Sequence, residues 1–453
     1  MKSICTLLLL ITACAPSATY AQRTRVTVRN GGSTSWIGGS ALQTRVHVGA
    51  DGQTYVGIWV DAPSDVAVRE RAPMALSLVV DTSGSMSGAK IQHARLATQS
   101  LLESLQDGDI VSIYAFSNEV VEIAAPTVVS SSTRGTLMTQ ANRLHAMGGT
   151  NLHGGVSVGL NRVISAPASH GVRRVVLISD GHANIGITDP NQLGIMAANG
   201  SEYSVQMTAI GVGIDYDENT LGTLAVRSSG RLYHLGNPSQ MASILRQEVE
   251  LLGQAVATGA VLEIVPAAGV RFIEGVSTGV VVSGGRVRIP MGTVVAGQRR
   301  EFLIRANVDT SALGSRSLAD ASLRFQPVGA DEAIEQRAAL TYEVVRDQRA
   351  AAGSEAPRVS TLVATTRAAQ AERQAAAALV RNDRAAAARH YEVATRAMTE
   401  AAAAAPAPAR ARIQRQAEGV RARAGRSAAA ASPAAAREAA LQATDEAMAA
   451  EGF

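Results

Sequence analysis

The sequence contains few lysines and few aromatic residues. Of its 42 basic side chains only Lys2 and Lys90 are lysines, a bias that we attribute to genome composition. Aromatic residues make up 3% of the 453 residues, which argues against a surface that stacks on sugars or nucleic-acid bases. The net charge of +4 is small and is not gathered in basic blocks, so the sequence predicts no nucleic-acid partner.

Cysteine occurs only near the start of the chain, at Cys5 and Cys14. This stretch combines Lys2, a short apolar run and a small-x-small site ending at Ala21, so residues 1–21 are predicted to be a signal peptide. Residues 11–14, ITAC, also resemble a bacterial lipobox, in which case residues 1–13 would be removed and Cys14 would carry lipid. Under either reading, the protein beyond this segment has no disulfide and no cysteine metal ligand.

These features predict an exported protein, placed in the periplasm, in the outer membrane or outside the cell. No later run is apolar and long enough to span a bilayer, so any membrane contact would be made through a lipid on Cys14.

The distribution of apolar residues predicts an α/β domain between two β-rich segments. Residues 23–73 read as short strands, residues 74–252 alternate strands with helices, and residues 253–346 return to strand patterns with glycine-rich turns. The strands of the middle segment are almost continuously apolar, which is typical of a mainly parallel, doubly wound sheet covered on both faces. We expect the two flanking segments to form one β-sandwich, into which the α/β domain is inserted.

Residues 347–453 are rich in alanine and arginine and have helical periodicity. A break near residues 381–383 predicts two helices, with Asn382 or Asp383 capping the second, and Ser432-Pro433 is a good start for a last helix. We expect ordered helices up to about Ala404 and partial disorder beyond it.

Polar side chains follow two of the predicted buried strands. VVDTSGSM places Asp81 at the end of the first, with Ser83 and Ser85 ahead of a helix. Ligands of open α/β sheets lie at the carboxyl ends of the strands, and Asp81 would repel a phosphate there, so a hard cation such as Mg²⁺ is favoured. Thr150 in GGTN and Asp180 in SDG, which ends another strand, would add oxygen ligands.

These five positions resemble the metal-ion-dependent adhesion site of von Willebrand factor type A domains in residue type, order and approximate spacing. The resemblance covers about residues 74–252. It implies that Ser83, Ser85 and Thr150 coordinate Mg²⁺ or Mn²⁺, while Asp81 and Asp180 act mostly through water. It further implies a non-enzymatic protein in which a partner protein's Glu or Asp fills the open position on the metal.

Two other functions compete with this hypothesis. In a structural envelope protein, the metal would only stabilise the fold. A hydrolase would use Ser83 with His182, but the sequence has no GxSxG elbow and we regard His182 as a loop residue beside the site. His145 and His153 match no zinc motif and are also interpreted as loop residues.

Overall fold

The structure is a computed structural model that describes residues 26–30, 35–64 and 71–452. The predicted signal peptide and the lipobox lie outside the described residues. Four strands precede the predicted α/β domain: β1 (Val26–Asn30), β2 (Ile37–Ala41), β3 (Arg45–His47) and β4 (Gln53–Asp61).

Strands and helices alternate through the next segment. The strands are β5 (Met74–Asp81), β6 (Ile110–Phe116), β7 (Val120–Val128), β8 (Val172–Ser179), β9 (Val205–Val212) and β10 (Arg231–Leu235). The helices are α1 (Ala89–Ser104), α2 (Arg134–Ala141), α3 (Leu152–Ile164), α4 (Pro190–Ser201), α5 (Glu218–Arg227) and α6 (Met241–Leu252).

These six strands form one sheet in the order β10-β9-β8-β5-β6-β7. Every pairing is parallel except that of β7, which lies antiparallel to β6 at the edge. All eight residues of the central strand β5 are buried, because helices cover both faces of the sheet. The predicted doubly wound, mainly parallel fold is confirmed.

Seven further strands follow this sheet along the chain. They are β11 (Ala255–Pro266), β12 (Arg271–Gly275), β13 (Val282–Ser283), β14 (Arg286–Val295), β15 (Arg299–Asn307), β16 (Gly314–Pro327) and β17 (Ala333–Val345). They combine with the first four strands in two sheets. The larger has the order β1-β17-β16-β11-β14-β13, with β3 also paired to β17, and the smaller has the order β12-β15-β4-β2.

Apolar side chains such as Ile58 and Phe302 from the small sheet, and Leu323 from the large one, share one core. Both sheets therefore mix strands from before and after the α/β segment. We propose on this basis that residues 23–73 and 253–346 are one sandwich domain, interrupted by a domain of residues 74–252.

The rest of the described chain is helical: α7 (Gln348–Ala352), α8 (Pro357–Val380), α9 (Arg384–Ala404), α10 (Ala407–Ala429) and α11 (Pro433–Ala450). Asp383 caps α9 by accepting a hydrogen bond from the Ala386 amide at 2.9 Å, and Ser432 caps α11 in the same way from Ala435 at 3.2 Å. Both helix starts agree with the sequence analysis, and Asp383 rather than Asn382 is the cap.

The expectation of partial disorder beyond Ala404 differs from the structure, which has α10 and α11 there. The reason is tertiary contact. Arg423 of α10 forms a buried bidentate pair with Glu372 of α8, with nitrogen–oxygen distances of 2.6 and 3.1 Å.

Within the described ranges, no helix is both long and apolar enough to cross a bilayer.

Candidate metal site at the carboxyl edge of the parallel sheet

The five predicted site residues meet at one edge of the six-stranded sheet. Asp81 is the last residue of β5 and Asp180 directly follows β8. These strands are parallel neighbours, with Val80 opposite Ile178, so the two carboxylates leave the same edge. Thr150 lies in the loop that leads into α3.

Hydrogen bonds fix the three loops against one another. The Gly84 amide donates to the carbonyl of Gly148 at 3.0 Å, which joins the loop after β5 to the loop before α3. The Thr150 amide donates to Asn184 Oδ1 at 2.8 Å, and the Asn184 amide returns a bond to the Thr150 carbonyl at 3.1 Å. The loop after β8 is thereby tied to the same cluster, so hydrogen bonds within the protein hold the three loops together.

Asp81 is fully buried and accepts hydrogen bonds only from neutral groups among the described residues. Its Oδ1 accepts from the Ser83 amide at 2.8 Å, and its Oδ2 from Ser179 Oγ at 2.6 Å. Burial raises the pKa of the Asp81 carboxyl above its usual value, while the bonds from Ser179 and Ser83 partly oppose the shift. In the part of the chain that the structure describes, no basic side chain forms an ion pair with Asp81.

The hydroxyls of the serine motif form a chain that ends on the second carboxylate. Ser83 Oγ and Ser85 Oγ are 3.0 Å apart, and Ser85 Oγ donates to Asp180 Oδ1 at 2.7 Å. Ser83 is buried, whereas Ser85 is exposed. The ammonium of Lys90, on the first turn of α1, pairs with the other oxygen of Asp180.

Lys90 is a site residue that the sequence analysis missed. The sequence did carry a signal, because Lys90 is the only lysine after Lys2 and lies at the start of the helix that follows the serine motif.

A glycine keeps space open between the hydroxyls. A Cβ atom on Gly181 would lie 3.5 Å from Ser85 Oγ and 3.8 Å from Thr150 Oγ1, so a side chain at this position would project between them. Hydroxyl and carboxylate oxygens are the ligands that Mg²⁺ and Mn²⁺ prefer. The donor set and this open space therefore fit a hard divalent cation. Nowhere in the described ranges, this site included, do three or more His, Cys, Asp or Glu side chains form a group that would hold a metal, so binding here would depend on the hydroxyls as well as on the two carboxylates.

His182, which a hydrolase would pair with Ser83, instead lies near the carboxylate of Asp217. Its side chain is 65% exposed, and His182 Nδ1 lies 3.7 Å from Asp217 Oδ2. Ser83 Oγ lies within hydrogen-bonding distance of Ser85. This geometry provides no oriented serine–histidine pair.

Residues 76–247 match the family model of the von Willebrand factor type A (VWA) domain. The chain contains a VWA domain. The match includes all five predicted site residues. VWA domains are in general non-enzymatic modules of protein interaction or adhesion, and they often bind a divalent metal.

Curated relatives match part of this chain at low identity. An uncharacterized protein of Synechocystis, sll0103, is 25% identical over 267 residues, which cover 56% of this chain and 62% of the relative. Mouse inter-alpha-trypsin inhibitor heavy chain H3 is 27% identical over 164 residues, covering 35% of this chain and 18% of the relative. In each case the alignment spans less than two thirds of the relative.

Two solved structures show that the fold beyond the VWA domain is also shared. A VWA protein from Catenulispora acidiphila has a TM-score of 0.67 at 18% identity, covering 82% of this chain and 88% of that one. The ArnB paralog VWA2 from Sulfolobus acidocaldarius has a TM-score of 0.60 at 18% identity, covering 92% and 98%. At this identity the likeness establishes the fold alone.

Proposed function

We propose that this protein is an exported, non-enzymatic binding protein whose VWA domain engages a partner protein through Mg²⁺ or Mn²⁺. The partner would offer the carboxylate of an aspartate or glutamate. Export rests on the predicted signal peptide, and membrane contact would be limited to a lipid on Cys14. No nucleic-acid partner is expected.

The burial of the Asp81 carboxyl without a basic partner among the described residues is the observation that carries this proposal. A fully buried carboxylate is costly unless a cation or strong donors balance it. Among the described residues, Asp81 has two neutral donors, and the ammonium of Lys90 pairs with Asp180 instead. A divalent cation between the three loops would supply the missing positive charge.

The five residues divide into two roles in this proposal. Ser83, Ser85 and Thr150 would hold the cation through their hydroxyl oxygens. Asp81 and Asp180 would act mainly through water, since each already has at least one oxygen engaged in a hydrogen bond with a serine hydroxyl. A cation held by few direct carboxylates keeps net positive charge and offers an open position to an acidic ligand.

The first test is thermal unfolding of the full chain in EDTA, Mg²⁺, Mn²⁺ or Ca²⁺. A metal that binds only the folded protein stabilises it by about 2.7 kcal/mol at a hundredfold excess over its Kd. We expect Mg²⁺ and Mn²⁺ to raise the midpoint of the wild type and not that of Ser83→Ala/Ser85→Ala. The matched control is Ser131→Ala/Ser132→Ala, which removes two exposed hydroxyls from the loop after β7, at the opposite edge of the sheet from the site, and should respond like the wild type.

A wild type that does not respond to any of the metals would contradict the proposal. If metal binding is present, the second test is capture of protein partners with the immobilised chain in Mg²⁺, followed by elution with EDTA. Partners retained by the wild type and lost by the serine variant support adhesion through the metal. Metal stabilisation without any metal-dependent partner would favour the structural envelope function instead.

A further inference from the structure

Lys90 places a fixed positive charge against the candidate metal site. Its ammonium pairs with Asp180 Oδ2, while the other oxygen of that carboxylate accepts the hydrogen bond from Ser85. The Asp180 side chain is completely buried, and the Lys90 side chain is 28% exposed. Lys90 is the second residue of α1, and helical side chains lean toward the N-terminus, so its stem reaches back over the start of the helix to the site.

The choice of lysine at this position runs against the composition of the chain. The chain has 42 basic residues and only two lysines, so arginine is the default basic residue here. An ammonium is a compact point charge, whereas a guanidinium is a planar fork with five donors. The ammonium of Lys90 lies near both the Asp180 carboxylate and Gly213, where an added Cβ atom would be 3.8 Å, an ordinary contact distance, from Cε and Nζ of Lys90.

We propose that Lys90 sets the net charge of the loaded metal site and thereby its preference for an acidic ligand; this inference rests on the proposed function. The side chains of Asp81 and Asp180 contribute two negative charges, which one divalent cation would cancel. The ammonium of Lys90 leaves one positive charge in excess. A site without Lys90 would be neutral when loaded and would attract a carboxylate less strongly.

The same charge must weaken the binding of the cation itself. Lys90 repels the metal and competes with it for the electron density of Asp180. The lysine therefore lowers the affinity of the site for the metal while it raises the attraction of the loaded site for acidic ligands. Lys90 is a positioning residue in this account, because it acts through Asp180 rather than by touching the partner. Its removal should therefore change two affinities in opposite directions, which a purely structural role would not do.

The experiment compares the full-length wild type with Lys90→Met, Lys90→Arg and the control Arg415→Met, which removes an exposed positive charge from α10. The Kd of Mn²⁺ is measured from the electron paramagnetic resonance signal of free Mn²⁺. The Mn²⁺-loaded proteins are then titrated with acetate, and displacement of metal-bound water is followed by water-proton relaxation. Unfolding in EDTA shows that each variant is folded.

We expect Lys90→Met to bind Mn²⁺ about tenfold more tightly than the wild type and to need about tenfold more acetate for half-displacement. Lys90→Arg keeps the charge and should shift both values less, and Arg415→Met should shift neither. If the wild type and Lys90→Met bind Mn²⁺ and acetate equally, the inference is wrong while the proposed function stands. If Lys90→Met does not fold, Lys90→Gln replaces it in the same comparison.

Loss of both proposals has a separate signature. If none of the folded proteins binds Mn²⁺, the proposed function fails and this inference fails with it. If Lys90→Met binds Mn²⁺ but the wild type does not, the charge of Lys90 is decisive for the site, and the wild-type protein does not use the metal as proposed.

Discussion

The last helix, α11, packs on the edge strand of the VWA domain and places a partly buried carboxylate there. Asp445 Oδ2 accepts a hydrogen bond from the backbone amide of His234 on β10 at 3.4 Å. Glu438 Oε1 lies 3.0 Å from Nε2 of the same histidine. Arg437 Nε donates to the Ile214 carbonyl at 2.6 Å, so three polar side chains of α11 contact the domain. Asp445→Asn tests the energetics of this contact.

Burial raises the pKa of Asp445 from 3.8 to about 6. The folded protein therefore binds a proton more tightly than the unfolded chain, and its stability falls as the pH rises through this window. One pKa unit corresponds to about 1.4 kcal/mol, so full ionisation of Asp445, well above pH 6, lowers the free energy of unfolding by on the order of 3 kcal/mol. Between about pH 5 and pH 7.5 the free energy of unfolding falls by about 1.4 kcal/mol, because the rest of the decrease occurs below pH 5.

Asparagine keeps an oxygen that can accept from the His234 amide but has no charge to bury. We expect Asp445→Asn to be more stable than the wild type by about 1–3 kcal/mol at pH 7.5, because the ionised carboxylate is removed. The advantage should shrink at pH 5, where the wild type holds its proton. Urea denaturation at the two pH values, followed by circular dichroism, measures the difference.

The control is Asp331→Asn, which alters an exposed carboxylate in the loop between β16 and β17. Its stability difference from the wild type should be small and should not change between the two pH values. The reasoning would be refuted if Asp445→Asn were less stable than the wild type at pH 7.5, because the charge would then stabilise the contact with β10. An equal gain at both pH values would show that ionisation of Asp445 is not the cause.

Two further predictions concern ion pairs that hold helices to sheets. Glu248 of α6 is buried, accepts a hydrogen bond from Thr208 Oγ1 at 2.6 Å and lies 3.6 Å from Arg174. Glu248→Ala would leave a buried cation unpaired, so we expect urea denaturation to show a loss of about 3–5 kcal/mol in the free energy of unfolding. A loss below about 1 kcal/mol would contradict this expectation. Arg358 of α8 donates two hydrogen bonds to Asp61, at 2.8 and 2.9 Å, but its side chain is about one-third exposed. Because solvent weakens such a pair, Arg358→Met should lower the free energy of unfolding by only about 1–2 kcal/mol. No measurable change would show that solvent screens the pair completely.

The parallel core of the fold was accessible from the sequence because burial dictates its pattern. A strand covered on both faces is almost continuously apolar, and β5 is, with Ser77 as the one polar residue before the carboxylate of Asp81. The edge strand β7 was not predicted. It includes Pro126 and several exposed residues, which is tolerated at the edge of a sheet but hides the alternation typical of a strand. The placement of Asp180 beside Asp81 followed from topology, whereas the pairing of Lys90 needed side-chain geometry.

Local sequence patterns did not predict that the last two helices, α10 and α11, are ordered. The segment after Ala404 is rich in alanine and arginine, so it has helix propensity but few large apolar side chains to mark a buried face. Leu441 and Met448 of α11 pack into a core of the VWA domain whose other buried residues lie between Ala75 and Leu232. Helices of this composition gain most of their stability from tertiary contacts. We therefore attribute the order of α11 to its packing against the VWA domain, a contact that the local sequence of the tail does not indicate.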